Sequence, residues 1–109
     1  MGAKVNQYDI FWVKLDPVEG SEMAKTRPCV IISPDEMNDY LKTVAIAPLT
    51  SNLKSVFWRV RVFVDGQNGM VALDHIRSVS KTRIGDYIGT LQTTEIQNIK
   101  NSIQAMLID

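Results

Sequence analysis

The sequence predicts a small, β-rich α+β domain, and three observations carry that prediction. The chain has 109 residues, of which 45% are apolar, which suits one domain with its own core. Most apolar residues fall in short runs rich in β-branched and aromatic types, as in strands. The last segment has helical spacing instead. We therefore expect a single domain over residues 1–109, with about five antiparallel strands, strongly curled or barrel-like, and a C-terminal helix packed on them.

The first two strands flank a long loop. Residues 8–15, YDIFWVKL, read as a strand buried on most of both faces. The loop over residues 16–27 is longer than a hairpin connection, which favours a functional role. The second strand, PCVIIS, covers residues 28–33, with proline at its first position, where a missing N–H costs least.

A short helix and a third strand follow. Ser33 is a suitable N-cap and Pro34 a suitable first helical residue, so a helix should run to about Leu41. Residues 43–50, TVAIAPLT, then predict a strand that ends in a polar corner.

The fourth predicted strand, VFWRVRVFV at residues 56–64, alternates clearly. Its apolar face should enter the core: Trp58, Val60, Val62 and Val64. Its other face should be exposed: Phe57, Arg59, Arg61 and Phe63. Asp65-Gly66 predicts a turn, and MVALDHI at 70–76 the returning strand. We expect a polar, basic stretch and a loop from there through Gly89.

The final helix is predicted over residues 94–108. Thr94 and Gln97 fit a capping box at its start. One apolar stripe should pack on the sheet: Ile96, Ile99, Ile103, Met106 and Leu107.

Composition excludes several kinds of site. One cysteine excludes an internal disulfide. With a single histidine beside it we expect no dedicated zinc site, and no metal or cofactor. Cys29 lies in the apolar run CVII and should be a small buried hydrophobe. No apolar run approaches the ~18 residues of a membrane span, so we expect a soluble, cytoplasmic protein.

The charge distribution predicts one positive face. The net charge is zero, which argues against a generally basic surface. Residues 54–83, however, contain only two acidic residues, Asp65 and Asp74, but six basic ones: Lys54, Arg59, Arg61, Arg77, Lys81 and Arg83. Such a face would suit a polyanion. Ordinary solvated strand and loop charges are the alternative.

Polar residues also gather at three strand ends. The stretch GSEMAKTRP carries Glu22 and Arg27 into the second strand, Thr50 closes the third, and Asp74-His75 close the strand after the turn. A carboxylate, an imidazole, a hydroxyl and a fixed cation suit RNA cleavage by the RNA's own 2′-hydroxyl, which needs a base, an acid and stabilisation of the phosphorane. Loop charges and salt bridges remain the alternative, and neighbours on a strand point to opposite faces unless the strand ends there.

The ordered blocks YDIFWVKLDPVEGSEMAKTRPCVIIS, APLTS and GMVALDHIRSVSKTRIG resemble the MazF/PemK family of toxin endoribonucleases, over nearly the whole chain. The resemblance implies an SH3-like barrel with added helices that forms a homodimer. It implies metal-independent cleavage of single-stranded RNA to a 2′,3′-cyclic phosphate and a 5′-hydroxyl. It also implies a cognate antitoxin whose acidic, flexible tail fills the RNA groove.

The resemblance assigns roles by position. It makes Arg27 a phosphate-binding catalytic residue, Thr50 the catalytic threonine, Glu22 a loop acid near the RNA, and Asp74 an acid that some members use as a base. Three positions depart from the pattern: Ser21 replaces a histidine of some members, Ala72 replaces an arginine, and His75 replaces a glutamine.

The predicted RNA-binding residues are the following: Ser51, Lys54, Arg59, Arg61, His75 and Arg77. Two of them, Arg59 and Arg61, share a strand face with Phe57 and Phe63, which could form a base-stacking platform. That face could equally pack against another strand or a dimer partner.

The sequence therefore predicts a sequence-selective, metal-independent endoribonuclease, the toxin of a bacterial toxin–antitoxin pair. One alternative is a toxin of the same fold that poisons DNA gyrase and cuts nothing; it would not need the Arg27–Thr50 pair. The other is a non-catalytic module that binds single-stranded RNA.

Overall fold

The computed structural model describes residues 4–15 and 26–108. This part of the chain forms seven strands and two α-helices. In chain order they are β1 (Asp9–Lys14), β2 (Thr26–Ile31), α1 (Asp35–Tyr40), β3 (Thr43–Thr50), β4 (Arg59–Val64), β5 (Gln67–Ala72), β6 (Arg77–Ser80), β7 (Ile84–Thr90) and α2 (Thr93–Leu107). Single 3₁₀ turns, Leu73–His75 and Lys81–Arg83, precede and follow β6.

The strands form one antiparallel sheet in the order β4-β5-β3-β2-β1-β7. β3 is the organising strand because β2 pairs with it on one side, while β5 and β6 share its other side. β5 pairs at Leu49 and Thr50, and β6 pairs over residues 43–46. The 3₁₀ turn at Leu73–His75 carries the chain from β5 to β6.

Two apolar clusters cover the two faces of the sheet. The larger lies under α2 and consists of Ile10, Val30, Ala47, Leu49, Val60, Val62, Val71, Leu73, Leu91 and Ile99. The smaller includes Phe11, Val13, Cys29, Ile31, Val44, Ile46 and Val79. Neighbouring residues such as Cys29 and Val30 enter different clusters, as the period of two in a strand requires.

One buried carboxylate fixes α2 to the sheet. Glu95 is only 9% exposed, and its two oxygens accept the backbone N–H groups of Gln92 and Phe63, both at 2.8 Å. The first bond caps the helix and the second reaches β4, the edge strand. Further along α2, Ser102 Oγ donates to the Phe57 carbonyl at 2.7 Å.

The fold prediction is confirmed in class and in its helix positions, and the structure corrects several details. The polar stretch and loop expected over residues 78–89 lie largely in β6 and β7. The strand expected over 70–76 ends at Ala72 and gives way to the 3₁₀ turn. The capping box joins Gln92 to Glu95 rather than Thr94 to Gln97.

Two residues assigned to the core lie outside it. Leu107, the last residue of α2, is 68% exposed. Trp58, which directly precedes β4, is also exposed, and its ring packs edge-on against the exposed Phe57, with centroids 4.9 Å apart. Cys29, by contrast, is fully buried, as predicted. Within the described ranges, no helix is long and apolar enough to cross a membrane.

Candidate active site

Arg27 and Thr50 lie opposite each other on adjacent strands. β2 and β3 pair Cys29 with Pro48, and the same antiparallel register, continued by two residues, brings Arg27 opposite Thr50. Cross-strand partners share one face of a sheet, with Cβ atoms roughly 5 Å apart. Two of the predicted catalytic residues are thus held together by the central strands.

Backbone groups hold both residues in place. Arg27 is half-buried, pairs with Val13 of β1, and donates a long hydrogen bond of 3.4 Å from Nη1 to the Leu49 carbonyl. Thr50 is also half-buried, and its Oγ1 accepts the N–H of Asn52 at 3.2 Å. The hydroxyl hydrogen is therefore left to donate elsewhere, because Oγ1 serves only as the acceptor in that bond.

A pocket of about 430 Å³ opens at this end of the sheet. Its polar wall includes Arg27, Thr50 and Ser51, together with groups of the β4–β5 turn and its flanks: Asp65, Gln67 and Asn68. Its apolar lining comes from five other side chains: Trp12, Pro28, Leu49, Val64 and Ile88. Apolar walls with a few convergent polar groups are typical of a ligand site.

Asp74 belongs to a second polar cluster. Arg59 donates to its carboxylate through Nε and Nη2, and His75 Nε2 lies 3.5 Å from Asp74 Oδ2. The hydrogen bonds from Arg59 hold the pKa of Asp74 below its ordinary value. His75 is exposed on the same 3₁₀ turn. The early end of β5 allows Asp74 and His75 to approach each other, which neighbours on a continuous strand could not do.

The register places the arginines on one face. Met70 of β5 pairs with both Thr50 and Arg61, and Ala72 pairs with Arg59. β6 pairs with the first half of β3, and there Arg77 lies opposite Ile46. The side chains of Ile46 and Thr50, four residues apart on one strand, point to the same face. We call this surface the arginine face, defined by Arg27, Thr50, Arg59, Arg61 and Arg77.

The remaining predicted RNA-binding residues take different positions. Arg61 is exposed and Arg77 half-buried, while Lys54 lies in the exposed turn after β3, where its N–H donates to Asn52 Oδ1 at 3.1 Å. Phe57 and Phe63 are each 56% exposed. The expected platform is therefore open at its two rings and at Arg61, but Arg59 is half-buried and paired with Asp74.

Sequence reasoning missed the pocket's second wall. The sequence pattern assigns no functional role to Gln67 and Asn68, because nothing in it shows that β5 pairs with the end of β3. Gly69 shows how close the two strands come, since a Cβ there would lie 3.5 Å from the Thr50 carbonyl oxygen. Glu22, the loop acid assigned by resemblance, lies outside the described residues.

The charge around the arginine face does not make Cys29 a reactive group. Burial raises the pKa of the Cys29 thiol to about 12, against the opposing effect of Arg27 and Arg77. Its Sγ lies 3.5 Å from the Arg27 carbonyl oxygen, to which the S–H donates. Among the described residues, no group of three or more histidine, cysteine or acidic side chains is placed to hold a metal ion.

Comparison with known proteins points to one family. Residues 6–107 match the family model described as a PemK-like, MazF-like toxin of type II toxin–antitoxin systems. The endoribonuclease toxin MazF of Escherichia coli K12 is 30% identical over 100 residues, which cover 91% of this chain and 90% of that protein. The endoribonuclease MazF of Staphylococcus saprophyticus is 28% identical over 105 residues, covering 91% and 88%.

Solved structures agree on the fold. MazF from Deinococcus radiodurans superposes with a TM-score of 0.83 at 21% identity, over 99% of this chain and 100% of that one. A mycobacterial endoribonuclease solved in complex with its cognate antitoxin gives 0.79 at 18% identity, over 94% and 93%. The predicted β-rich fold is thereby confirmed. Because the family model covers nearly the whole chain, the protein belongs to the family of PemK-like, MazF-like toxins of type II toxin–antitoxin systems.

Proposed function

We propose that this toxin is an endoribonuclease that cleaves single-stranded RNA by attack of the 2′-hydroxyl on the adjacent phosphate. The products are a 2′,3′-cyclic phosphate and a 5′-hydroxyl, and no metal ion is required. The endoribonuclease names of its relatives support the activity. The observation that carries the chemistry is the placement of Arg27 opposite Thr50 at the edge of a pocket.

The chemistry needs little from the protein beyond charge placement and proton transfer. The 2′-oxygen forms a bond to phosphorus as it loses its proton, and the bond from phosphorus to the 5′-oxygen breaks as that oxygen gains one. Arg27 matches the crowded, doubly charged intermediate because its planar fork donates two hydrogen bonds and stays ionised. The Thr50 hydroxyl donates to another phosphoryl oxygen.

The contacts of Asp74 favour a positioning role over the role of general base. A carboxylate that already accepts two hydrogen bonds from Arg59, and whose pKa is lowered by them, is a poor base. We therefore assign Asp74 to positioning Arg59 and His75, and keep Glu22 and His75 as candidates for proton transfer. We propose that Ser51, which lines the pocket, and the cations Lys54 and Arg77 bind the RNA backbone.

The pocket supports sequence selectivity. Trp12 is 41% exposed and offers an aromatic surface, and the amides of Gln67 and Asn68 can each donate and accept hydrogen bonds. A base stacked on an aromatic ring and read along its edge by such groups is the usual mode of single-strand recognition. We propose that a base next to the scissile phosphate enters this pocket.

The proposed partners follow from the family. A cognate antitoxin with an acidic, flexible tail would compete with RNA for the arginine face, and its complementary charge would speed association. We also propose a homodimer that acts on mRNA in the cytoplasm. Co-expression with the antitoxin should restore growth of cells that express the toxin.

Cleavage of a long single-stranded RNA in EDTA tests the activity. We expect discrete fragments that end in a cyclic phosphate, with the same pattern when magnesium is added. Uncut RNA would refute the nuclease proposal and favour a binding module or a gyrase poison, which a supercoiling assay distinguishes.

The site assignment has its own test. Arg27→Ala and Thr50→Ala should each abolish detectable cutting while the dimer stays folded, because removing one preorganised donor costs about 10²–10³-fold in rate. Lys100→Ala is the matched control, since Lys100 is an exposed cation on α2. Full activity in Arg27→Ala or Thr50→Ala would refute the assignment.

A further inference from the structure

We propose that Arg61 binds a second phosphate of the RNA, so that the substrate crosses the sheet at right angles to its strands, from β2 through β3 and β5 to β4. This inference rests on the proposed function and adds a subsite to it. It gives different roles to Arg59 and Arg61, which the sequence pattern places on the same face of β4.

The first argument is the register. The β2–β3 register, continued two residues beyond the pair Cys29–Pro48, brings Arg27 opposite Thr50. Thr50 pairs with Met70, and Met70 pairs with Arg61. Directly paired residues of antiparallel strands lie on the same face, so these four positions form one straight row across four strands. The row begins at the proposed catalytic pair and ends at Arg61.

The second argument is the burial of the residues between the two arginines. Met70, between Thr50 and Arg61, is only 4% exposed, and Ala72 in the next row is 3% exposed. The surface between the two arginines is therefore closed rather than interrupted by a deep cleft. A nucleic acid strand can lie on such a surface with its phosphates held at the two ends.

The third argument is electrostatic. Arg59, in the next row, has its guanidinium bound to Asp74, so that pair carries no net charge. Arg61 is exposed, and the ion pairs formed within residues 4–15 and 26–108 do not include it. Of the two cations on β4, Arg61 is therefore the one placed to bind an anion.

The span fits a phosphate beyond the scissile one. Neighbouring strands lie about 4.8 Å apart, so three steps separate Arg27 from Arg61 by about 14 Å along the sheet. A single nucleotide step is much shorter than that span, so the phosphate at Arg61 is not the one next to the bond that is cut. Phe63, exposed two residues further along β4, can stack on a base there.

The test measures binding of an uncleavable RNA, a 2′-O-methyl oligonucleotide of roughly ten nucleotides, by fluorescence anisotropy. Arg61→Gln should weaken binding about tenfold at low salt, because it removes one charged contact. The slope of log K against log salt should fall in magnitude by about 0.7, the value for one phosphate on a single strand. Lys100→Gln, which changes net charge equally, should alter neither quantity.

Kinetics separate this role from catalysis. On a cleavable RNA, Arg61→Gln should raise KM and leave kcat within about twofold, because the contact is made equally in the ground and transition states. Loss of kcat with unchanged KM would overturn the proposal, as would unchanged binding and salt slope. If the wild type binds RNA through Arg61 but cuts none, the subsite stands and the nuclease proposal fails. If the wild type cuts RNA and Arg61→Gln binds normally, only the subsite fails, and a wild type that binds no RNA overturns both.

Discussion

Arg59 and Asp74 form a bidentate ion pair that joins β4 to the 3₁₀ turn after β5. Arg59 Nε donates to Oδ1 at 2.8 Å, and Nη2 donates to Oδ2 at 2.9 Å. The side chains are 19% and 33% exposed, so the pair is only partly shielded from water. The ion pair fixes the carboxylate whose Oδ2 also lies 3.5 Å from His75 Nε2, and two predictions concern that carboxylate.

The first prediction is a pH-dependent stability. Asp74→Asn should lower the free energy of unfolding near neutral pH by at most about 1 kcal/mol, the worth of a partly exposed pair. Because the pKa of Asp74 is lowered in the folded state, its contribution is present above about pH 3.9 and is lost as the pH falls through the lowered pKa. Urea unfolding at several pH values measures this. A difference that stays constant into strong acid would contradict the prediction.

The second prediction concerns catalysis. Removal of a general base costs about 10²–10⁴-fold in rate, but Asp74→Asn should lower kcat less than tenfold, because we assign this residue a positioning role. Asparagine can still accept one hydrogen bond from Arg59. Single-turnover cleavage is the measurement, and its pH profile should keep the wild-type shape. A loss of a thousandfold, or a missing limb of the profile, would restore Asp74 as the base.

The third prediction concerns selectivity. Asn68→Ala removes a polar group from the pocket wall and should broaden the cleavage motif at one base position, with cutting retained. Discrimination should fall by roughly tenfold or more, because a buried hydrogen-bonding group of the base then loses its partner. Sequencing the fragment ends of a long RNA gives the motif. Gln97→Ala, on the exposed surface of α2, is the control, and an unchanged motif in Asn68→Ala would exclude the residue from base recognition.

The fourth prediction concerns Cys29. Its pKa is raised to about 12 in the folded protein, whereas an unfolded cysteine ionises near pH 8.5. The folded state therefore keeps a proton that the unfolded state releases, so stability falls as the pH rises. Between about pH 7 and about pH 9.5 the loss is about 1.4 kcal/mol.

Comparison of the wild type with Cys29→Ala isolates that effect. The variant should be less stable near neutral pH, because it leaves a small cavity, but its stability should fall less steeply in alkali. The native thiol should also resist alkylating reagents until the protein unfolds. Equal slopes for the two proteins, or rapid labelling of the native state, would contradict the account.

Local pattern predicted much of this fold. The alternation in VFWRVRVFV correctly placed Val60 and Val62 in the core, and Asp65-Gly66 marked the turn, where both residues have positive φ. β6 and β7 escaped prediction because their sequences, RSVS and IGDYIGT, offer few buried residues and two glycines. They are strands because β3 and β1 supply partners, which is information that only the tertiary structure holds.

In the candidate site, too, local pattern predicted some features and only the tertiary structure determined others. The predicted strand ends marked Arg27 and Thr50 as polar residues of one edge of the sheet, because antiparallel strands return to a common edge, and the family resemblance alone assigned their roles. The partner of Arg59 could not be predicted, since Asp74 lies 15 residues away on a turn that was expected to be strand. Periodicity indicates the face to which a side chain points, but the charge that it meets there depends on how the chain turns.

The bond between Glu95 and Phe63 has a consequence for the solubility of the protein. β4 is an edge strand, and the unpaired backbone of an edge can recruit a strand from another molecule and start aggregation. Glu95 occupies the Phe63 N–H and Ser102 binds the Phe57 carbonyl just before the strand, so α2 shields part of that edge. A second molecule could pair with these two backbone groups only by displacing the helix.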